Sequence, residues 1–368
     1  MLLSRLSLKQ FRNYTELDIE LHPHLNILTG ENGQGKTNIL ESIYCLSLVK
    51  SFRTSKDTEM VQFGRDTSTI SGDYQSDHGV THKIVIIQNG RRKSISLDGK
   101  RVIRHSDLIG QFPLVLFSPE DHRITSGTPA ERRKFLDILL SQANRSYLKT
   151  LQEYQRILRQ RNQLLALFAE KKISVQELEI WNETLAEAGC SLINSRRKFL
   201  HNIAEPLKEY YGSISENKGV LEIHYAHSSV EEIETKEQYQ EALASVFGKE
   251  VALSKTIIGP HRDDIVLTID GRDVRKHASR GEQKSVLLAL KLIELNYLKK
   301  KTGVTPVLLL DDIYSELDTG RQKHVFETIC RFGQTFITSA TRINFPSPDN
   351  STFIVTNGNL VRQQSSPK

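Results

Sequence analysis

The 368-residue sequence predicts an α/β protein whose main domain is assembled from both chain ends and carries an antiparallel β extension and an inserted α-helical lobe. Three observations predict it. Near the start, Gly30-Glu31-Asn32-Gly33-Gln34-Gly35-Lys36-Thr37 lies between a short apolar run and a helix-periodic one. Near the finish, the apolar run Val307 to Leu310 ends in Asp311 and Asp312, as a buried central strand does at its carboxyl edge. Between them runs a long charged stretch of helical period. The expected division is residues 1–112 and 251–368 for the two parts of the main domain, with 113–250 as the helical insert.

Taken in order, Leu17/Ile19/Leu21 and Leu25/Ile27 alternate as strands leading into the glycine loop. Ile39, Leu40, Ile43, Tyr44 and Leu48 then recur at steps of three and four, which places a helix directly behind the loop. From about Thr67 to Val102 short strands return. Their turns, Asn89-Gly90 and Asp98-Gly99, favour the positive backbone angles of tight hairpins. Past Ser118-Pro119-Glu120-Asp121 one stripe runs through Tyr147, Leu151, Tyr154, Leu158 and Leu165, interrupted by Arg161. A second runs through Leu178, Trp181, Leu185, Ala188, Leu192 and Phe199. Two helices of roughly 20 to 35 residues, joined near Glu170-Lys171-Lys172, would pack as an antiparallel hairpin, with Trp181 in its core. After Gly259-Pro260, Val266-Leu267-Thr268-Ile269 and the turn Asp270-Gly271 suggest that the main domain resumes.

The glycines of residues 30–37 let the backbone curl its N–H groups toward phosphate oxygens while the next helix, beginning with Asn38, presents its positive end. Lys36 should reach the β and γ phosphates of ATP, and the Thr37 hydroxyl should ligate Mg²⁺. Asp311 would bind that Mg²⁺ through water. Asp312 is the candidate to orient or deprotonate an attacking water. Ser279-Arg280-Gly281-Glu282-Gln283 precedes the apolar helix that starts near Val286; Ser279 and Glu282 also fit an S-x-x-E capping box, which needs no ligand.

The order glycine loop, Ser279 to Gln283, Asp-Asp strand, Ser315-Glu316-Leu317-Asp318 resembles that of ABC-type ATPases. That resemblance implies that Ser279 and Gly281, with Arg280, Glu282 and Gln283 around them, meet the γ phosphate bound on an opposite subunit, and that Ser315 and Asp318 line the same shared interface. Further stretches are similar to the RecF family of bacterial, SMC-like recombination mediators: Phe11-Arg12-Asn13-Tyr14, Ser51-Phe52-Arg53-Thr54, Phe117 to Asp121, Arg132 to Asp137, Gly259-Pro260-His261-Arg262-Asp263-Asp264 and Leu310 to Asp318.

The family resemblance implies an ABC/SMC-like P-loop ATPase head with ATP-dependent homodimerisation and slow, DNA-stimulated hydrolysis. It further implies binding to single-stranded or gapped DNA or single-strand/duplex junctions, and cooperation with RecR and RecO in loading RecA for repair, replication restart and SOS induction. Arg12 and Asn13 match positions that contact nucleotide in such heads. A switch histidine is missing from Phe336-Ile337-Thr338-Ser339-Ala340, where Thr338 is the candidate substitute, and Gln111 is the candidate Q-loop glutamine near the metal.

Fifty Lys+Arg against 44 Asp+Glu leave a net charge of +6, which permits a polyanionic partner without demanding one. Basic clusters at Arg91-Arg92-Lys93, Lys100-Arg101, Arg132-Arg133-Lys134, Arg196-Arg197-Lys198 and Lys299-Lys300-Lys301 could line a phosphate-tracking surface, and no DNA contact is assigned to any of them. Three scattered cysteines suggest neither a disulfide framework nor a zinc site. With no targeting pattern and no membrane-length apolar run, a cytoplasmic protein without a membrane partner is expected. Two alternatives stay open: the ATPase subunit of a transporter, against which stand the about 245 residues between Lys36 and Gly281, and an adaptor that binds ATP without turnover.

Overall fold

The computed structural model describes residues 1–76, 79–312, 332–341 and 350–363. In chain order its elements are β1 (Leu2–Phe11), β2 (Tyr14–Glu20), β3 (Leu25–Thr29), α1 (Lys36–Leu48), β4 (Thr67–Gln75), β5 (Thr81–Asn89), β6 (Arg92–Leu97), β7 (Lys100–Arg101) and β8 (Leu114–Phe117). There follow α2 (His122–Ser126), α3 (Pro129–Ala143), α4 (Arg145–Ala169), α5 (Val175–Ser215), β9 (Leu221–Ala226), α6 (Lys236–Leu253), β10 (Asp264–Ile269), β11 (Arg272–Asp273), α7 (Val274–His277) and α8 (Arg280–Thr302). Strands β12 (Val307–Leu310), β13 (Thr335–Ser339), β14 (Asn350–Thr356) and β15 (Asn359–Arg362) complete the series.

The chain forms two compact units, Met1–Glu120 with Glu294–Lys368, and Asp121–Ile293. In the first, a mixed sheet runs β15-β14-β3-β13-β12-β8, in which all neighbours are parallel except the β14–β15 hairpin. Strands β3, β8, β12 and β13 are buried at every residue; β8 and β12 accordingly read as unbroken apolar runs, while β3 and β13 also bury Asn26, Thr335, Thr338 and Ser339. An antiparallel sheet, β2-β1-β4-β5-β6-β7, forms the β extension and also takes in the first two strands of the chain. Helix α1 contacts β4 and β5 of this sheet as well as β8 and β13 of the mixed one, so nearly all of it is buried. Its polar residues are satisfied inside: Ser47 donates to the Phe112 carbonyl and Ser42 to the Ile39 carbonyl. At the turn after β6, Asp98 and Gly99 have φ of 52° and 76°, the mirror-image hairpin turn that Asp-Gly favours.

In the second unit α4 and α5 form the antiparallel hairpin, with α6 packed on both. Helix α5 has 41 residues, longer than its first stripe suggested, because the buried series continues through Leu200, Ile203, Leu207 and Tyr211 past Pro206. Trp181 is only half-buried, while Leu178 and Leu185 on either side of it fill the core. Arg161, which breaks the first stripe, is fully buried. It donates to Glu250 (2.6 Å), Thr256 Oγ1 (2.7 Å) and Asn182 Oδ1 (2.7 Å), so the charge is compensated rather than solvated.

The units divide after Glu120 and after Ile293, later than residues 112 and 250 on both sides. Two strand pairings account for this. β8 lies beside β12 in the first unit, and β10 pairs with β9 in a small β11-β10-β9 sheet, so the main domain does not resume at Gly259. Gly259 to Asp264 instead knits the second unit together. Asp263 accepts from Tyr225 (2.6 Å) and Ser228 (2.6 Å), Asp264 pairs with Arg132 through two 2.8 Å bonds, and Arg196 donates to the Pro260 carbonyl (2.6 Å) and Asp137 (2.7 Å). Gly259 has a φ of 116°, and a Cβ there would lie 1.8 Å from the Tyr239 hydroxyl, so only glycine fits. Among the described residues no helix is long and apolar enough to cross a membrane.

His261 sits in this knot with Nε2 3.1 Å from the Thr256 carbonyl and Nδ1 2.7 Å from the Tyr154 hydroxyl. A carbonyl only accepts, so Nε2 carries the proton and Nδ1 accepts from tyrosine. Burial, aided by Arg262 and Arg133, pushes its pKa down to about 4 against the opposing Thr256 bond. The unfolded histidine titrates near 6.5, so as pH falls the unfolded chain takes the proton first. The stabilisation is complete above pH 6.5 and drains away toward pH 4. We expect His261→Gln to remove about 2–3 kcal/mol of the stability change between pH 7 and pH 4.5, as measured by urea unfolding beside wild type; parallel profiles would contradict a buried neutral ring.

Candidate nucleotide and cation site

The glycine loop is shaped by residues from both chain ends. A Cβ on Gly30, whose φ is 153°, would lie 2.3 Å from the Val355 carbonyl oxygen, and one on Gly35, whose φ is 115°, would lie 2.6 Å from the Asn13 amide. Asn13 Nδ2 donates to the Gln34 carbonyl (2.8 Å), Tyr14 to the Gly35 carbonyl (3.1 Å), and Asn38 Nδ2 to Asn13 Oδ1 (2.8 Å). From the β14–β15 turn, the Asn357 amide donates to Gln34 Oε1 (2.6 Å) and the Gly358 amide to the Gln34 carbonyl (3.2 Å). Glu31, Asn32 and Gly33 form the exposed crown. Beneath it the buried Lys36 ammonium bridges the loop, donating to the carbonyls of Gly30 (2.8 Å) and Glu31 (2.9 Å) and keeping a third N–H.

Strand register delivers the carboxylates to the same edge. Leu310 is level with Ile337 and Ile337 with Ile27, so Asp311 emerges next to Thr338 and one strand away from the loop. Asp311 Oδ1 accepts from the Thr37 hydroxyl (2.9 Å) and the Thr338 hydroxyl (2.8 Å). Burial raises the Asp311 pKa above the usual carboxylate range; the two hydroxyls and nearby Arg53 oppose that shift, and Asp312 adds to it. Asp312 follows at a φ of 49°, its amide donating to Thr338 Oγ1 (2.8 Å). A hydroxyl and a carboxylate in contact, both hard oxygen donors, suit Mg²⁺, and the curled loop with its lysine suits a polyphosphate.

Arg12 reaches the site through Glu41 of α1. It donates to both Glu41 oxygens (2.9 and 2.6 Å) and to the Glu59 carbonyl (2.6 Å), leaving two of its five N–H groups. Glu41 is fully buried and also accepts from Ser51 and from Arg53 (3.4 Å). Arg53 is a residue to which sequence reasoning gave no role. Its guanidinium donates to Asn38 Oδ1 (2.6 Å) at the start of α1, and its side chain remains 44% exposed. The signal was present as an arginine just past the loop helix, in Ser51-Phe52-Arg53-Thr54. Two motifs far from each other in sequence thus converge on one buried glutamate.

One expected site residue sits elsewhere. Gln111 lies before the amino end of β8, whereas the loop and Asp311 lie at the carboxyl ends of the parallel strands; its side chain donates to the Asp107 carbonyl (2.6 Å). Ser118 holds the corresponding place at the carboxyl end, since the Asp311 amide donates to the Phe117 carbonyl (2.9 Å). Thr338 is fully buried beneath the carboxylates rather than displayed as a switch residue would be. Ser315 and Asp318 lie outside the described residues.

In the second unit, Ser279 and Glu282 form the reciprocal capping box: Ser279 N and Oγ both lie 2.7 Å from Glu282 Oε2, and Glu282 N lies 3.3 Å from Ser279 Oγ. The Ser279 hydroxyl bond, then its backbone bond, holds the Glu282 carboxyl below its usual range. Gln283 braces the preceding turn through the Val274 and Ala278 carbonyls, and Ser279 and Arg280 are exposed at the helix start with Gly281 half-buried behind them. Several basic clusters prove to be partly internal. Arg132 and Arg196 are buried in ion pairs, and Arg197 pairs with Glu232 and Glu234.

Residues 2–360 match the family described as RecF/RecN/SMC N terminal domain. The DNA replication and repair protein RecF of Ligilactobacillus salivarius is 38% identical over 346 residues, covering 92% of this chain and 91% of its own length. A solved structure of the recombination mediator protein RecF with ATP, of the RecFOR pathway, aligns with a TM-score of 0.92 at 32% identity over 99% of this chain and 98% of its own. A Smc head bound to the C-winged-helix domain of ScpA, at 16% identity and a TM-score of 0.55 over 99% and 98%, shares the fold. With an ABC/SMC-like head fold, and relatives matching along almost its whole length, the chain belongs to the RecF family of DNA replication and repair proteins.

Proposed function

We propose that this chain is an ATP-dependent recombination mediator that dimerises around nucleotide on single-stranded or gapped DNA and hydrolyses ATP slowly. The observation that carries the reading is the Thr37–Asp311 contact of 2.9 Å, because it joins the glycine loop from one chain end to the carboxylate strand from the other. The backbone N–H groups of residues 30–37 and the start of α1 bind the phosphates, and the remaining Lys36 N–H turns to them. Thr37 and Asp311 hold Mg²⁺, which when bound supplies charge neutralisation on the phosphate oxygens. Asn13 and Asn38 keep the loop in shape, and Arg12 and Arg53, moored on Glu41, add positive charge beside it.

Asp312 orients the attacking water and takes its proton. The exposed start of α8, Ser279 to Gln283, is an anion site suited to the γ phosphate held by a second copy, with Ser315 and Asp318 lining the same interface. Closure of two such molecules around ATP gates binding to DNA, and the RecFOR context of the structural relative supports RecR- and RecO-like partners in loading RecA. Family membership favours this reading over a transporter subunit.

Sizing in ATP against ADP tests the gate. Wild type should dimerise in ATP, Lys36→Ala should lose nucleotide binding and stay monomeric, and Ser279→Arg should bind ATP within about threefold of wild type yet stay monomeric. Wild type that is monomeric in ATP, even with gapped DNA, would contradict the reading. Phosphate release, measured with and without gapped DNA, should rise with DNA and fall about 100-fold or more in Asp312→Asn; binding without turnover in wild type would instead leave a nucleotide-dependent adaptor. DNA affinity should weaken at least about tenfold between 50 and 200 mM salt, since phosphate contacts release counterions.

A further inference from the structure

We propose that Thr338 is a positioning residue that sets both carboxylates of the site at once, fixing the Asp311 side chain and the Asp312 backbone through one hydroxyl. The proposal rests on the reading of Asp311 as the cation ligand and Asp312 as the water-orienting group, and it concerns a residue that itself touches neither nucleotide nor cation.

A threonine hydroxyl has one proton to give and two lone pairs to offer. At Thr338 both functions are committed and their direction is forced. The Asp311 carboxylate can only accept, so the hydroxyl proton goes to Asp311 Oδ1 at 2.8 Å; the Asp312 amide can only donate, so it takes a lone pair at 2.8 Å. Thr338 has no exposed surface and lies inside β13, between the strand that leads into the loop and the strand that ends in Asp311. A different rotamer of this buried hydroxyl would give up both bonds at once.

Two consequences follow at the site. Thr37 and Thr338 both engage Oδ1 of Asp311, so together they set the plane of the carboxylate and the aim of Oδ2. Asp312 has a φ of 49°, left-handed backbone that is uncommon outside glycine, though aspartate adopts it more readily than most residues. The bond from its amide to Thr338 holds the peptide plane between Asp311 and Asp312, and with it the Cα from which the Asp312 side chain departs. Burial beneath the carboxylates also explains how threonine serves here where a switch residue displayed toward phosphate was expected.

Thr338→Val keeps the shape and loses the hydroxyl, Thr338→Ser keeps the hydroxyl, and Thr338→Ala repeats the loss with a smaller side chain in case valine does not fold. In nucleotide-free protein, exchange of the Asp312 amide should accelerate about tenfold or more in the valine and alanine variants and stay within about twofold in serine. The Mg²⁺ concentration giving half-maximal binding of a fluorescent ATP analogue should rise about fivefold or more in valine, while affinity without Mg²⁺ stays within about twofold of wild type. In turnover, kcat should fall about tenfold or more at near-constant KM, and serine should restore it. Valine and serine behaving alike, whether both as wild type or both impaired, would overturn the proposal by reducing Thr338 to packing. If wild type itself does not turn over ATP, the ATPase reading fails, while amide exchange and Mg²⁺ dependence still decide the role of Thr338.

Discussion

Asp311 Oδ1 is where the two ends of the chain meet. It accepts one hydroxyl from Thr37, which follows the first parallel strand, and another from Thr338, which comes from the strand between. The contact depends on register: a one-residue slip of β12 against β13 would turn Asp311 away from both. Burial of the carboxylate works against its charge, and the two hydroxyls compensate. Protein contacts hold this edge together, and the loop above it is braced by Asn13 on one side and the β14–β15 turn on the other.

Much of this arrangement was legible in the sequence because it rests on local rules. The glycine loop, the helix behind it, the Asp-Asp strand and the Asp-Gly hairpins all carry their cause within a few residues. Where cause lay in distant pairing, the sequence was silent. Nothing local in Val266 to Ile269 says that it pairs with Leu221 to Ala226 instead of joining the main sheet. Gln111 looked suitable by type, but only the direction of β8 shows that it stands at the wrong end. Arg53 and Glu41 escaped notice because their meaning lies in a three-way meeting with Arg12. Ser279 and Glu282 show the opposite: the capping box read from S-x-x-E is present, with the serine exposed at the helix start.

The second unit holds three buried arginines in ion pairs. Arg161 with Glu250, Arg196 with Asp137, and Arg132 with Asp264 tie segments distant in sequence, and a buried pair of this kind is costly to break from one side. Two of these arginines, Arg132 and Arg196, looked available to a polyanion and are committed there. Arg262, by contrast, is exposed on the Gly259 to Asp264 turn.

In the composite site proposed above, the loop comes from one molecule and the Ser279 segment from another. Mixing Lys36→Ala with Ser279→Arg protein tests it most directly, since each variant is defective at a different half. Steady-state ATP hydrolysis of the equimolar mixture should recover to roughly a quarter of wild type if dimers assort at random and sites act independently, because each mixed dimer carries one intact composite site. A mixture no more active than the two variants alone would contradict the claim.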